Sequence, residues 1–195
     1  TTSGDFKIHT FTGDANFIVS SVGQTVAEKT VSYVVVAGGG GGGAQRGGGG
    51  GAGGFREGKV SSDPYTDSPL DAGDGLTITE TSFPITVGAG GTGGHSEDRS
   101  PPGTDATSGS NSIFSTITSA GGGGGGPATI GGRAGGSGGG GGSGHAEPIP
   151  NPSNYGTGAA GNTPPVSPPQ GNAGGNASGS DPQGGGGGGG ATAVG

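Results

Sequence analysis

Cysteine is absent from this chain, and so are tryptophan and methionine. Without cysteine there is no disulfide, no thiolate metal site and no cysteine nucleophile, and no trace of a redox compartment. Aromatic residues make up 5% and the hydrophobic set 25%, against an apolar share of roughly 45–50%, glycine included, in ordinary domains. A large aliphatic core cannot be built from this. No stretch repeats apolar residues at the i, i+3, i+4 spacing of an amphipathic helix, so no helix is expected. No run approaches the roughly 18 consecutive apolar residues of a spanning helix, and no membrane insertion is expected. The seven Lys and Arg residues are scattered. Binding to phosphate backbones needs clustered cations, so no nucleic-acid partner is expected. The net charge of −7 rests on only 11% charged residues, unlike a strongly charged disordered tail.

What is present is glycine, 57 of 195 residues, with uninterrupted runs at 38–43, 47–51, 121–126, 138–142 and 184–190. With 14 prolines, the two types exceed a third of the chain, which by composition alone reads as low-complexity. Fixing a glycine costs about 0.5–1 kcal/mol more than fixing an alanine. The runs are therefore either flexible linkers or packed in a way that only glycine allows.

Strand-prone segments lie at 5–12, 16–22, 31–36, 76–79, 84–87 and 112–118. Of these, 31–36 is β-branched and continuous, as in a strand buried on both faces. Three of them run into glycine: Val34-Val35-Val36-Ala37 into 38–43, Ile85-Thr86-Val87 into 88–91, and Thr116-Ile117-Thr118-Ser119-Ala120 into 121–126. A disordered linker has no reason to start repeatedly at a strand end. Within the tracts, Ala89, Thr92 and His95 fall every third residue, and Ala134, Ser137 and Ser143 keep one phase of three. Ala37, Arg46, Ala52 and Phe55 do the same, with Ala44 and Gln45 breaking the pattern. Three residues per turn is the polyproline-II helix, rising about 3.1 Å per residue without internal hydrogen bonds. One side chain per turn leaves two faces of bare backbone, which neighbouring rods can approach and bond. Uninterrupted runs such as 38–43 would be interior rods about 19 Å long. The expected fold is mostly non-helical, with short β-strands combined with a packed bundle of polyglycine II helices. It forms a single glycine-rich domain over 1–195, strand-rich over 1–37, with rods from 38 onward interleaved with short strands at 76–87 and 112–120. Collagen is excluded by Pro148-Ile149-Pro150-Asn151-Pro152 and by 163–169, which lack the obligatory third-position glycine.

The Pro-, Asp- and Ser-rich segments 61–75, 96–111, 145–155 and 162–170 read as surface loops. If the rods run antiparallel, such loops cluster at rod ends. Gly53-Gly54-Phe55-Arg56-Glu57-Gly58-Lys59 is a near miss to a phosphate-binding loop, but Val60 replaces the required Ser or Thr and no helix follows. Asp63, Asp67, Asp71 and Asp74 could surround calcium, without the alternation of an EF-hand loop. His9, His95 and His145 lack zinc spacing, and no carboxylate-lined cleft is marked. Asn176-Ala177-Ser178 is a formal glycosylation acceptor. No cofactor, metal or catalytic residue is expected.

A further resemblance rests on several segments taken together. They are 4–13 (Gly-Asp-Phe-Lys-Ile-His-Thr-Phe-Thr-Gly), Tyr33-Val34-Val35-Val36-Ala37 with 38–43, and Ala52-Gly53-Gly54-Phe55-Arg56 after 47–51. Ile85-Thr86-Val87-Gly88, Ser112-Ile113-Phe114-Ser115, Ala134-Gly135-Gly136-Ser137 and the segment 162–171 complete the set. Together they resemble the glycine-rich domain of bacteriophage tail-fibre proteins of marine-phage type. They are also similar to the T-even-type phage adhesins, whose glycine-rich motifs form polyglycine II bundles. The resemblance implies a virion structural protein of the tail fibre, whose inter-motif loops present the host-receptor surface. Its implied partners are a host cell-surface receptor (an outer-membrane protein or a glycan) and other fibre chains, including further copies of itself. Carried over, the receptor loops are 96–111 and 145–155, with 61–75 as a third candidate, and the contact residues are Arg99, His145, Glu147 and Tyr155. The family continues past its last tract into an apolar closing strand, whereas this sequence stops at Ala191-Thr192-Ala193-Val194-Gly195. It is expected to be part of a longer chain. The alternatives are a rod-built surface-coat or ice-binding protein, whose outward face would carry regular Thr or Ala, and a fibre-borne depolymerase.

Overall fold

The computed structural model describes residues 1–4, 6–95, 106–144, 155–178 and 184–195. The described chain is mostly non-helical. Its one helical turn is a 3-10 segment at Ala27–Lys29, and its strands are short and paired antiparallel. The strands are β1 (Thr2–Ser3), β2 (Phe6–Lys7), β3 (Ala15–Ile18), β4 (Thr30–Val31), β5 (Tyr33–Val36), β6 (Phe55–Gly58), β7 (Leu76–Thr77), β8 (Ser82–Thr86), β9 (Ser112–Phe114) and β10 (Ile117–Ser119). Four of them form one sheet in the order β10-β9-β8-β3, and the pairs β1-β2, β4-β7 and β5-β6 form the rest.

The scarce aromatics are pooled on the larger sheet. Phe17 of β3 faces Phe83 of β8 in register, and both rings meet Phe114 of β9, at 6.0 and 6.1 Å between centroids. His9 and Phe11 close on Phe17, and Tyr33 reaches Phe114. Edge-to-face rings of this kind are favoured by the ring quadrupole. The segment expected as one strand at 31–36 divides into β4 and β5, and the latter is buried on one face only. Val35 is buried while Val34 and Val36 are exposed, because β5 pairs with a single neighbour, β6. That neighbour has no apolar alternation in its Phe-Arg-Glu-Gly sequence and escapes a reading of hydrophobic pattern. Its Gly58 sits under the Tyr33 ring, where an added Cβ would lie 2.5 Å from Cε1.

Three strands run into glycine tracts as the repeat suggests: β5 into 37–43, β8 through Val87 into 88–94, and β10 into 120–126. The tracts lie side by side, and their hydrogen bonds advance in steps of three residues on both partners. Ala37, Gly40 and Gly43 donate N–H to the carbonyls of Gly54, Gly51 and Gly48. Gly48, Gly51 and Gly54 donate in turn to Gly126, Gly123 and Ala120. Ser137, Gly140 and Ser143 donate to Ala52, Gly49 and Arg46, and Gly156, Ala159 and Asn162 to Gly142, Gly139 and Gly136. Consecutive residues face different neighbours: Gly140 bonds to Gly49, Gly141 to Gly175 and Gly142 to Ile130. A β-strand would alternate between two directions, so these tracts are not strands.

Glycine is required here for closeness and not for backbone freedom. Among the described glycines only Gly4 and Gly73 have positive φ. In the tracts an added Cβ would strike a neighbouring backbone, at 1.7 Å from the Arg133 carbonyl oxygen for Gly123 and 2.1 Å from that of Gly124 for Gly139.

Two expectations about side-chain placement need correction. Runs 121–126 and 138–142 are buried throughout, as interior tracts should be, but in 38–43 Gly42 is exposed. The neighbours of 37–43 form a partial arc: 48–54 bonds to 120–126, 120–126 to 107–110, and 107–110 to 88–94. Nothing among the described residues closes the gap between 88–94 and 48–54. The second correction concerns the three-residue phases. Ala89, Thr92 and His95 do face outward, but Ser137 and Ser143 are fully buried, and the Ser137 hydroxyl has no partner. The common phase of Ala37, Arg46, Ala52 and Phe55 spans a turn between two antiparallel tracts, so it has no structural meaning.

Polar side chains finish the hydrogen bonding where no neighbouring carbonyl is aligned. Asn176 Oδ1 accepts from Gly158 N–H, Asn111 Oδ1 from Gly121 N–H and Ser112 Oγ from Gly88 N–H, each at 2.9 Å. The buried Gln170 does most. Its Oε1 accepts from Ala120 N–H at 2.8 Å, its Nε2 donates to the Pro164 carbonyl at 2.8 Å, and its carbonyl accepts from Phe55 N–H.

Candidate functional site

The tract directions sort the connections between two ends. The strands and the loops 59–75 and 162–170 lie at one end, where 37–43, 88–94 and 120–126 begin. At the other end lie the turn joining 43 to 48 and the turn at 127–130. His95 and Ala106, Gly144 and Tyr155, and Ser178 and Gly184 also lie there. These three pairs bracket the segments 96–105, 145–154 and 179–183. Ser143 bridges to Tyr155, and Ser178 N–H donates to the Gly184 carbonyl at 2.8 Å.

Of the four residues expected to contact a receptor, Tyr155 is placed, half-buried, at this loop end. Arg99, His145 and Glu147 lie outside the described residues, as do most of the loops 96–111 and 145–155. The third candidate loop, 61–75, lies at the strand end, apart from Tyr155.

Sequence reading missed Gln45 and Arg46. They form the turn between 37–43 and 48–54 at φ of 47° and 57°. Arg46 Nη1 donates to the Gly144 carbonyl at 3.3 Å, and its own carbonyl accepts from Ser143 N–H. Thr129, in the other turn at this end, has φ of 64°. Left-handed backbone costs a non-glycine residue about 1–3 kcal/mol, and glycine is the usual occupant. In the most glycine-rich of settings, side chains stand where glycine would be free of strain. Such outliers concentrate at functional sites. The signal in the sequence was the Ala44-Gln45-Arg46 interruption itself.

The strand end holds the carboxylates considered for calcium, and each has another partner. Asp63 accepts from the Ser32 hydroxyl, Asp71 Oδ1 from Lys59 N–H at 2.9 Å, and Asp67 pairs with Lys59 Nζ at 3.5 Å. Lys59 Nζ also lies 5.4 Å from the Tyr65 ring centroid. Burial pushes the Tyr65 phenol up, against the pull of its hydrogen bond with Ser32, and Glu57, Asp63 and Asp71 raise it further. Among the described residues no three His, Asp or Glu side chains converge as a metal site. Gly53 and Gly54 of the phosphate-loop near miss belong to a tract, and Phe55–Gly58 to β6. No helix among the described residues is long and apolar enough to cross a membrane.

A family model described as a glycine-rich domain matches residues 18–195. No curated protein and no solved structure matches the chain.

Proposed function

The chain belongs to the glycine-rich domain family, and from that premise we propose that it is a structural and host-binding protein of a phage tail fibre. In this reading the tracts are polyglycine II helices packed into a rigid bundle, and the loop end presents the receptor-binding surface. The three-residue hydrogen-bond step supports the helices, since three residues per turn is their defining geometry. The reading is carried by the gathering of Gln45, Arg46, Thr129 and Tyr155 at one end of the tracts, two sides of which are strained backbone retained for its side chains. Rigid support with variable loops at its end suits recognition, because a preorganised surface loses less entropy on binding.

Two measurements test this. The purified protein should adsorb to cells of a susceptible host and occur in phage particles, and Arg46→Ala with Tyr155→Ala should weaken adsorption at unchanged melting temperature. Adsorption to no cell surface, with absence from particles, would sink the functional reading. Circular dichroism should carry a polyproline-II signature, and glycine amides at 122–126 should be protected from exchange. Immediate exchange there would sink the helix reading.

A further inference from the structure

The tract 37–43 leaves one side of the hydrogen-bonded array unfinished. Gly39 and Gly42 accept at their carbonyls from Gly91 and Gly94, but among the described residues their N–H groups have no acceptor. The next tract outward repeats this: Gly90 and Gly93 have neither an acceptor for N–H nor a donor for C=O. The carbonyls of Gly40 and Gly43 are also without donors. Elsewhere in the tracts stray N–H groups at Gly88, Gly121 and Gly158 meet side-chain oxygens. No such cap serves these four.

The same four glycines are the ones that packing within the chain does not require. An added Cβ at Gly39, Gly42, Gly90 or Gly93 would find its nearest atom at 3.6, 4.0, 3.8 and 3.6 Å, an ordinary contact. None has positive φ. For comparison, a Cβ at Gly40 or Gly43 would lie 2.2 Å from a carbonyl oxygen. Other outward rows carry side chains, as at Ala89, Thr92 and His95. A bare row is needed only where another backbone approaches as closely as the tracts approach one another.

We propose that this face, the outer rows of 37–43 and 88–94, is a lateral docking surface for a second copy of this chain presenting the same face. The proposal rests on the polyglycine II reading of the tracts. Three properties of the face favour this occupant. It offers both unpaired donors and unpaired acceptors at three-residue spacing, so it is complementary to itself. It bears no charge, so the net charge of −7 is not concentrated at the contact. Val36, which precedes Gly39 by three residues, is 53% exposed, and Val34 on the same side of β5 is 55% exposed, giving the face an apolar foot. Two tracts about 19 Å long cover less than the roughly 800 Å² per partner of a standard interface. Pairing is therefore concentration-dependent, and stronger where copies are tethered side by side.

Sedimentation velocity over a range of concentrations tests the proposal, on the wild type and on Gly39→Ala/Gly42→Ala. The wild type should pass from monomer to dimer as concentration rises. The double variant should keep its melting temperature, since both Cβ atoms have room, yet stay monomeric where the wild type is dimeric. Val34→Ser/Val36→Ser should shift the dimer midpoint to higher concentration. A wild type that stays monomeric throughout, or a glycine double variant that dimerises as the wild type does, overturns it. Exchange of the glycine amides, measured on the same samples, separates the two readings. Protected tracts with a monomeric wild type would remove the docking face alone, whereas unprotected tracts would remove the helices as well.

Discussion

A missing side chain does two different jobs in this protein, and single substitutions separate them. Gly123→Ala would place a Cβ at 1.7 Å from the Arg133 carbonyl oxygen inside a buried tract. Neighbouring backbone cannot give way cheaply, so a loss of at least about 1–3 kcal/mol is expected, the usual cost of overpacking. Gly39→Ala, with its nearest atom at 3.6 Å, should be neutral or stabilise by about 0.4–1 kcal/mol through the unfolded chain. Denaturant melts of both variants check the contrast; equal losses would mean that the tracts are looser than their hydrogen bonds imply. Gln170 makes the opposite point. Its amide serves two backbone groups at once, so Gln170→Ala leaves Ala120 N–H buried and unpaired, at about 1–3 kcal/mol. The same melts would report that loss.

Among the elements, the turn before β4 owes its form to a short local circuit. Glu28 Oε2 accepts from the N–H groups of Thr25 and Gln24 at 2.9 Å, and Thr25 Oγ1 accepts from Glu28 N–H at 3.3 Å. This is the reciprocal capping pattern of Thr-x-x-Glu, and it was there to be read in Thr25-Val26-Ala27-Glu28. The hydrogen bonds from Thr25, backbone first, hold the Glu28 carboxyl below its ordinary value. The stabilisation from this group is thus present above the unfolded-state value and lost as pH falls through the lowered folded one. An NMR titration should find Glu28 titrating below the other exposed glutamate, Glu80; a midpoint equal to that of Glu80 would remove the circuit. Strand positions were legible wherever β-branched residues led into glycine, because that junction records a change from two-residue to three-residue period. β6 was not legible, since what holds Phe55–Gly58 is pairing with β5 and the Tyr33 ring over Gly58, contacts made across more than twenty residues of sequence. The burial of Ser137 was hidden for a similar reason: phase tells which residues share a row, not which way the row faces.

For the whole molecule, the ordering of stability should follow enclosure and not side-chain size. The amides of Gly123 and Gly126 donate to Ser137 and Gly140 within runs buried throughout. They should exchange only with global opening. Those of Gly42 and Gly93, exposed and without acceptors among the described residues, should exchange fast. Hydrogen-exchange mass spectrometry or NMR resolves this, and uniform rates over all the tracts would contradict it. Of the candidate site, the sequence disclosed that loops would gather at tract ends. Which loops share an end follows from the direction of each tract, and those directions appear only once the Gly40–Gly51 and Gly51–Gly123 bonds are in place. Gln45 and Arg46 looked like a fault in a glycine pattern; they are the point at which the chain reverses.

The three-residue step also sets an arithmetic for how such a chain can change length. One extra residue in 121–126 would rotate everything after it by a third of a turn and direct each N–H to the wrong neighbour, whereas three extra residues would restore every partner one turn later. The turn at 44–47 obeys no such rule. Insertions and deletions among variants of this chain should therefore come in threes within the tracts and in any number between them, as a reading frame written in hydrogen bonds.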